Sequence, residues 1–225
     1  TLTVSNTPTI TKVYDGNDNA TIPLAQYTLS GVLGNENVGF STTDVNVDIN
    51  NVGIGKSITA SGIALNGTDA ANYSLAITSL NTTGDITVKP LTLTVSNTPA
   101  ITKVYDGNDN ASIPLNQFTL TGKVGSEVVN FDYTDISFDD KNTGTAKDVT
   151  VNGITLNGAD KDNYSLAITS LTTTGSITAK PLTLAVSSTP LITKVYDGNN
   201  TATIPLNQFA LTGIVGTEDV SFNST

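Results

Sequence analysis

The stretch KVYDGNDNA at residues 12–20 returns letter for letter at residues 103–111, and a third copy, KVYDGNNTA, begins at Lys194. The tyrosine of the stretch recurs every 91 residues, as Tyr14, Tyr105 and Tyr196. This spacing identifies a tandem array of one unit. Strand-like segments, ITKVY and ATIPL in the first copy, flank the Asp-Gly pair. Because glycine accepts the positive φ of tight turns, we predict a β-hairpin corner with the tyrosine packed at the strand end.

Apolar residues alternate with period two along the unit, and no segment has the period of an amphipathic helix. The alternation predicts an all-β fold, and seven short strands per unit are typical of an immunoglobulin-like sandwich. In DVTVNGITL the alternation changes parity at Asn152-Gly153, which fits either a β-bulge or a two-residue hairpin. In the first unit the strands are predicted near residues 1–5, 10–14, 20–33, 38–49, 56–65, 72–78 and 85–90.

The repeats are predicted to begin at the strand LTLTV, which follows a Lys-Pro seam. This boundary places unit 1 at residues 1–91, unit 2 at residues 92–182 and the first half of unit 3 at residues 183–225. The alternative division places whole units at residues 44–134 and 135–225.

The seams between units are short, and each carries one proline, Pro90 or Pro181. Proline fixes its own φ and biases the preceding residue toward extended backbone. Flexible linkers are longer and rich in glycine and serine. We therefore expect the units to form an elongated, semi-rigid rod whose stiffness does not depend on calcium.

A second tyrosine follows an Asn-containing turn in each complete unit, in DAANYSL at residues 69–75 and DKDNYSL at residues 160–166. Tyr73 and Tyr164 fit the tyrosine corner of immunoglobulin-like sandwiches, in which the hydroxyl bonds to upstream backbone. Leu75 would then take the place of the second core cysteine. The alternative is a half-buried strand tyrosine after an ordinary turn.

The Tyr-Asp-Gly stretch also carries oxygen ligands at alternate positions, as the start of an EF-hand loop does. Asx-turns explain the same letters without a metal, and the glycine and glutamate of an EF-hand loop are missing. Lys12, Lys103 and Lys194 are surface lysines or, as an alternative, partners in Lys–Asn isopeptide bonds. The weak calcium candidates are Asp15, Asn17, Asn19, Asp106, Asn108 and Asn110.

The composition excludes several classes of function. The chain has no cysteine and no histidine, so it lacks disulfides, thiolate metal sites and the usual general base near neutral pH. Its net charge of −10 disfavours nucleic acids and anionic membranes. No apolar run approaches the roughly 18 residues of a membrane span. We expect a protein that is not an enzyme, needs no cofactor and does not insert into a membrane.

Three motifs in fixed order carry a resemblance over the whole chain: KVYDGN, then GIxLNGxDxxNYSL, then ITxKPLTL. They resemble the YDG and MBG-type tandem repeats of large bacterial surface adhesins, including filamentous-haemagglutinin-like proteins. The resemblance implies an extracellular stalk that projects a distal binding region and supports adhesion or biofilm. Its partners would be neighbouring repeats. The alternative is that the repeats bind glycans or proteins, through exposed aromatic residues such as Tyr133 and Phe138.

Overall fold

The alternating apolar segments form β-strands in a computed structural model, which describes residues 1–223. The described residues contain strands and five short 3₁₀ turns, with no α-helix among them, so the all-β prediction is confirmed. None of their helical segments is long or apolar enough to cross a membrane. The 3₁₀ turns are Leu24–Gln26, Ala70–Asn72, Leu115–Gln117, Lys161–Asn163 and Leu206–Gln208.

Nineteen strands lie in the described residues. The strands of the first copy are β1 (Leu2–Val4), β2 (Ile10–Val13), β3 (Tyr27–Leu29), β4 (Gly39–Ser41), β5 (Asp44–Val47), β6 (Gly53–Ser61), β7 (Ala64–Asn66) and β8 (Ser79–Thr87). Those after the first seam are β9 (Lys89–Val95), β10 (Ile101–Val104), β11 (Phe118–Thr121), β12 (Asn130–Asp132), β13 (Asp135–Phe138), β14 (Gly144–Asn152), β15 (Thr155–Asn157), β16 (Tyr164–Leu166), β17 (Ser170–Thr178), β18 (Thr183–Val186) and β19 (Phe209–Thr212).

The first copy builds a four-stranded sheet in the order β2-β8-β6-β5. Strand β2 runs parallel to β8, with Ile10 opposite Gly84, whereas the other pairs are antiparallel. The second copy repeats this sheet in the order β10-β17-β14-β13, again with one parallel pair. The alternate residues on one face of the first sheet are buried, and they include Ile10, Val47, Ile58 and Ile86.

The remaining strands form smaller sheets, β1-β3, β4-β7, β12-β15, β18-β19 and β11-β9-β16. In the last of these, β16 pairs in parallel with the start of β9, so Tyr164 lies opposite Lys89 and Ser165 opposite Pro90. The equivalent residues of the first copy, 73–75, form no strand.

Three local predictions are wrong. The strand predicted near residues 72–78 is absent, because residues 73–78 of the first copy form no strand. The Tyr-Asp-Gly stretch is not a hairpin, because β2 pairs with β8 while Asn19, at the far end of the loop, pairs with Asn46 of β5. The loop therefore joins one edge strand of the sheet to the other. At Asn152-Gly153 the chain makes neither a bulge nor a hairpin. Strand β14 ends there, and the chain passes through Gly153 at φ +65° into β15 of another sheet.

The chain divides into two compact units. The first comprises Thr1–Thr94, Thr119–Asp132 and Ile154–Thr169, so it takes in the whole first repeat with two segments of the second. The second comprises Val95–Phe118, Tyr133–Gly153 and Ser170–Thr225. The immunoglobulin-like sandwich, the rod and the repeat boundaries at residues 91 and 182 stay predictions.

The core of the first unit is built from two copies of the repeat. Ile10, Ile58 and Ile86 of the first copy share one buried cluster with Val129 and Tyr164 of the second. Residues that are distant in the sequence thus depend on one another for burial, which is the main source of folding free energy.

Candidate functional site at the Tyr-Asp-Gly corner

Tyr14 is an anchoring side chain of the first unit. It follows β2, and its backbone N–H donates to the carbonyl of Thr87 at 2.9 Å, which extends the parallel pairing of β2 with β8 by one residue. Its side chain is only 3% exposed and belongs to the buried cluster. The prediction that this tyrosine packs at the end of a strand is confirmed, although the strand is not part of a hairpin.

The carboxylate of Glu127 joins two tyrosines from different copies of the repeat. The Tyr14 hydroxyl donates to its Oε1 atom and the Tyr164 hydroxyl donates to its Oε2 atom. The two rings meet edge to face, with centroids 5.5 Å apart and planes at 80°. Hydrogen bonds to an ionised acceptor are stronger than neutral ones, and this geometry is favourable for aromatic pairs.

Tyr164 has a third partner. Its hydroxyl oxygen accepts the backbone N–H of Val124 at 2.9 Å. The hydroxyl does bond to upstream backbone, as a tyrosine corner requires. It accepts from an N–H rather than donating to a carbonyl, and the loop that it reaches lies 40 residues upstream. The hydroxyl is therefore fully used, with one hydrogen bond accepted and one donated.

Sequence reasoning missed the glutamate at the centre of this cluster. A signal was present, because the chain has only three glutamates and they recur every 91 residues, as Glu36, Glu127 and Glu218. They lie in or beside the stretch where the copies otherwise differ most, so the recurrence indicates a shared contact.

The other copies contain parts of the same arrangement. In the second unit, Tyr105 donates to Glu218. In the first copy, Tyr73 donates to Glu36 and accepts the N–H of Leu33 at 2.9 Å. Tyr196 is 93% exposed. The full set of one carboxylate and two tyrosines is formed by Tyr14, Glu127 and Tyr164.

The glycine of the corner also lies close to the following copy. Gly16 has φ +80°, and a Cβ atom built on it would lie 2.6 Å from Cγ1 of Val124. Gly107 has φ +86°, and its Cβ would lie 2.7 Å from Val215 in the same way. Both the backbone conformation and the close approach therefore require glycine. The Gly16 carbonyl accepts from the Asn50 side chain at 2.9 Å, which holds the loop further.

A lysine ammonium fills the loop that resembles a calcium site. Nζ of Lys12 lies 2.8 Å from Asp15 Oδ1, from the Asn17 carbonyl and from Asn17 Oδ1, and 2.5 Å from the Asn19 carbonyl. Lys103 makes the same four contacts in the second copy. The oxygens proposed as calcium ligands thus already surround a cation that belongs to the chain.

Asx-turns shape this loop, in agreement with the metal-free explanation of its sequence. Asn17 N–H donates to Asp15 Oδ1 at 3.1 Å, and Asn19 N–H donates to Asn17 Oδ1 at 3.0 Å. Burial alone would raise the pKa of Asp15, but the hydrogen bonds from the Lys12 ammonium and the Asn17 amide outweigh it and lower that pKa. No cluster of three or more acidic side chains suited to a metal occurs in residues 1–223. Calcium binding itself stays untested.

The remaining candidates lie apart from this cluster. Pro90 is part of β9, opposite Ser165, whereas Pro181 precedes β18 and belongs to no strand. Tyr133 is 37% exposed and stacks on Phe118 with ring centroids 6.2 Å apart. Phe138 is only 3% exposed, so the expectation that it is a surface aromatic is wrong. It lies on the buried face of β13, where the first copy has Val47.

Comparison with known families finds one family model twice in the chain. The sequence profile of the YDG domain matches residues 1–82 and again residues 87–174. The chain belongs to the YDG domain family. No curated protein and no solved structure matches the chain significantly. The recurring motif of this YDG protein therefore supplies an anchor between consecutive copies, Tyr14 and Gly16 on one side and Glu127 and Tyr164 on the other.

The hydroxyl of Tyr164 can be compared directly with that of its equivalent in the first copy, Tyr73. We expect Tyr164→Phe to lower the free energy of unfolding by about 1–3 kcal/mol, because it leaves the Val124 N–H without its partner in a buried place. Tyr73→Phe removes the same hydrogen bonds at a half-exposed site, where water replaces them, and should cost less. Urea denaturation of the first compact unit, which contains both tyrosines, measures the two losses of unfolding free energy. Equal losses would contradict the role of burial.

Calcium at millimolar concentration is expected to leave the melting temperature unchanged, because the Lys12 ammonium already occupies the oxygen-lined loop. Asp15→Asn should cost little stability, since asparagine also accepts hydrogen bonds in an Asx-turn. Differential scanning calorimetry with calcium and with a chelator measures both effects. A rise of several degrees with calcium, lost in Asp15→Asn, would overturn this interpretation.

Alkaline pH is expected to destabilise the first unit through its two buried tyrosines, Tyr14 and Tyr164. Burial, followed by the hydrogen bond to Glu127, raises the pKa of Tyr14 and of Tyr164 above the ordinary value of about 10. The folded pKa exceeds the unfolded one, so this stabilisation is complete below pH 10 and is lost as pH rises toward the folded value. Tyr14→Phe should make the unfolding free energy less dependent on pH in that range. If the slope of unfolding free energy against pH is unchanged in this variant, Tyr14 is not the group that titrates.

Proposed function

We propose that this YDG array is a structural stalk segment of a secreted bacterial cell-surface adhesin, which projects a distal binding region and supports adhesion or biofilm. The repeats act without catalysis or cofactor, and their working partners are the neighbouring repeats of the same chain. The proposed location outside the cell is supported by the resemblance to surface repeats and by a composition that is rich in threonine and asparagine.

The observation that carries this proposal is the anchoring of one copy on the next. A spacer must resist bending where its copies meet, and the Tyr14 side chain of the first copy is buried against Glu127 and Tyr164 of the second. The Asn163 side chain of the second copy also accepts the backbone N–H of Val52 in the first, at 3.1 Å. These contacts restrain the two copies within one core, as expected for a repeat array in which each unit depends on its neighbours.

The charge and composition support the same role. Surfaces rich in threonine, asparagine and aspartate stay solvated, and a net charge of −10 keeps chains from associating nonspecifically. The stiffness rests on side chains of the protein itself, with Lys12 in place of a bound cation.

Small-angle X-ray scattering on arrays of two, four and six 91-residue repeats tests the stalk proposal. We expect the maximum dimension to grow nearly in proportion to the number of units and to be unchanged by a chelator. The matched variant has alanine in place of Tyr14 and of its equivalent in every other repeat, and this array should bend more. Growth closer to the square root of the number of units, as flexible chains give, would overturn the proposal.

A further inference from the structure

A cavity of about 390 Å³ opens at the Tyr-Asp-Gly corner of the first copy. Its apolar lining consists of Ile10, Val47 and Ile58, each at most 6% exposed, so it reaches down to the buried face of the first sheet. Thr11 and Thr21 line its mouth, where both are exposed. All of these residues belong to one copy and to the first compact unit. Pockets for small ligands usually measure about 300–1,000 Å³, so this cavity suits a molecule the size of a single ring.

The mouth lies between two strand edges that have no strand on their outer side. Strand β2 is at the edge of its sheet, and the Tyr14 N–H bonds toward β8. Backbone groups alternate in direction along a strand, so those of Thr11 point away from β8. Across the cavity the Ala20 N–H donates to the Val45 carbonyl at 2.8 Å, so the backbone groups of Thr21 point away from β5. Both edges therefore present N–H and C=O groups that have no backbone partner within residues 1–223.

The charged groups that line the cavity already have partners. The Lys12 ammonium contacts Asp15 and three further oxygens of the loop, which uses all of its N–H groups. The Asp85 carboxylate accepts the Gly55 N–H at 2.9 Å. With no unpaired cation in the lining and a net charge of −10 on the chain, an anionic ligand is disfavoured.

Neutral donors and acceptors remain at the mouth of the cavity. The side-chain amide of Asn19 and the hydroxyl of Thr21 make no hydrogen bond within the described part of the chain. Together with the two strand edges, they surround an apolar floor with groups that both donate and accept. A sugar ring has the complementary pattern, since it carries hydroxyl groups around its edge and C–H groups on its faces.

In the second copy a phenyl ring fills the corresponding space. Phe138 replaces Val47, and its Cε1 atom lies 2.9 Å from the place that a Cβ atom on Gly175 would take. At Gly84, the equivalent glycine and part of the cavity lining, none of the three nearest atoms belongs to Val47. The equivalents of the two threonines at the mouth are exposed in the second copy as well. The ring at this one position therefore closes the space, rather than the surroundings of the copy.

We propose that the cavity of the first copy binds a single neutral sugar ring, free or at the end of a glycan. One face of the ring packs on the apolar floor, and its hydroxyl groups bond to the backbone of Thr11 and Thr21 and to the side-chain amide of Asn19. The joint that Tyr14 forms with the next copy uses none of these side chains. A copy can thus carry or lack the site without a change in its contact with its neighbour, and the array combines spacing with binding at selected copies.

Nuclear magnetic resonance titration of the whole chain tests this site. The probes are glucose, galactose, mannose and N-acetylglucosamine, which stand for a soluble sugar, and their methyl glycosides, which stand for the end of a glycan. We expect at least one probe to shift the amide signals of the cavity with a dissociation constant of about 1 mM, as is usual for so small a ligand. The equivalent signals of the second copy should not move. The amides compared are those of Thr11, Thr21 and Gly84 with those of Thr102, Ser112 and Gly175.

A double variant closes the cavity without a foreign side chain. Val47→Phe combined with Ile58→Val gives the first copy the pair that the second copy has in Phe138 and Val149, so the fold is kept. The phenyl ring should cover the apolar floor and weaken sugar binding by at least about 10-fold.

A variant at the mouth tests the polar contacts separately. Thr21→Val removes the hydroxyl at an exposed position and should weaken binding by about 2–10-fold, the usual effect of one hydrogen bond. Ser112→Ala, at the equivalent place in the second copy, is the matched control and should bind sugar like the parent chain.

The proposal is overturned if no sugar shifts the cavity signals at concentrations far above the expected dissociation constant. Equal shifts in both copies, or binding that the double variant leaves unchanged, would also overturn it. Trialanine is titrated in parallel, because strand edges also pair with peptide backbones. Shifts with trialanine alone would identify a peptide site and refute the sugar site. None of these outcomes bears on the stalk, which rests on the contact of Tyr14 with Glu127 and Tyr164.

Discussion

Tyr14→Ala is expected to lower the free energy of unfolding of the first unit by about 3–5 kcal/mol, the usual loss for removing a large aromatic side chain from a core. Tyr14 is 3% exposed, and its ring packs on Tyr164 while its hydroxyl donates to Glu127. The variant loses the buried area and leaves a cavity beside a carboxylate. Native-state hydrogen exchange at β2 and β8 measures the loss where it occurs.

Tyr196→Ala is the control for this variant, because it changes the same motif at a side chain that is 93% exposed. Its effect on unfolding should stay within about 0.5 kcal/mol, as for most surface substitutions. If both variants lose the same free energy of unfolding, the tyrosine would stabilise only its own loop. The anchoring of one copy on the next would then be refuted.

Gly16→Ala is expected to be the second most damaging change. The backbone at φ +80° costs an L-residue about 1–2 kcal/mol. The new methyl group would lie 2.6 Å from Val124 Cγ1, so Val124 must move, which adds the roughly 1–3 kcal/mol typical of overpacking. Thermal and urea unfolding of the first unit measure the sum.

Gly198→Ala separates the two contributions. Gly198 has nearly the same φ, +81°, but nothing lies near its Cβ position. This variant should lose only the free energy that the backbone conformation costs. The difference in unfolding free energy between the two variants then measures the packing of one copy against the next. Equal losses would mean that the approach of Val124 contributes nothing.

The sequence predicts the strands of this protein better than their partners. Alternation of apolar residues locates most strands, because the strands of the two four-stranded sheets have one buried face. Pairing depends on contacts far along the chain, and β2 lies beside β8, more than 70 residues later. The Asp-Gly pair is a strong local hairpin signal, but β2 pairs with β8 and Asn19 pairs with Asn46 at the other edge of the sheet. Local turn chemistry therefore determines the conformation of the loop, whereas it does not determine which strands pair.

The candidate site was predictable in part. The recurrence of Tyr14 identified the residue, and its buried ring agrees with the prediction. Its partner, Glu127, is 113 residues away, and only comparison of the three copies indicates it. The calcium interpretation rested on residue types that also form Asx-turns. Nothing in the sequence shows that the Lys12 ammonium contacts the oxygens of this loop.

The even spacing of tyrosine and glutamate has a genetic consequence. A corner from one copy meets an acceptor of the same kind in the next, so unequal recombination in steps of 91 residues recreates an intact joint wherever it occurs. Loss or gain of whole copies then leaves every surviving contact in place, as expected when repeats interact only with their neighbours. The number of repeats in such an array can therefore change while the contacts between neighbouring repeats stay the same.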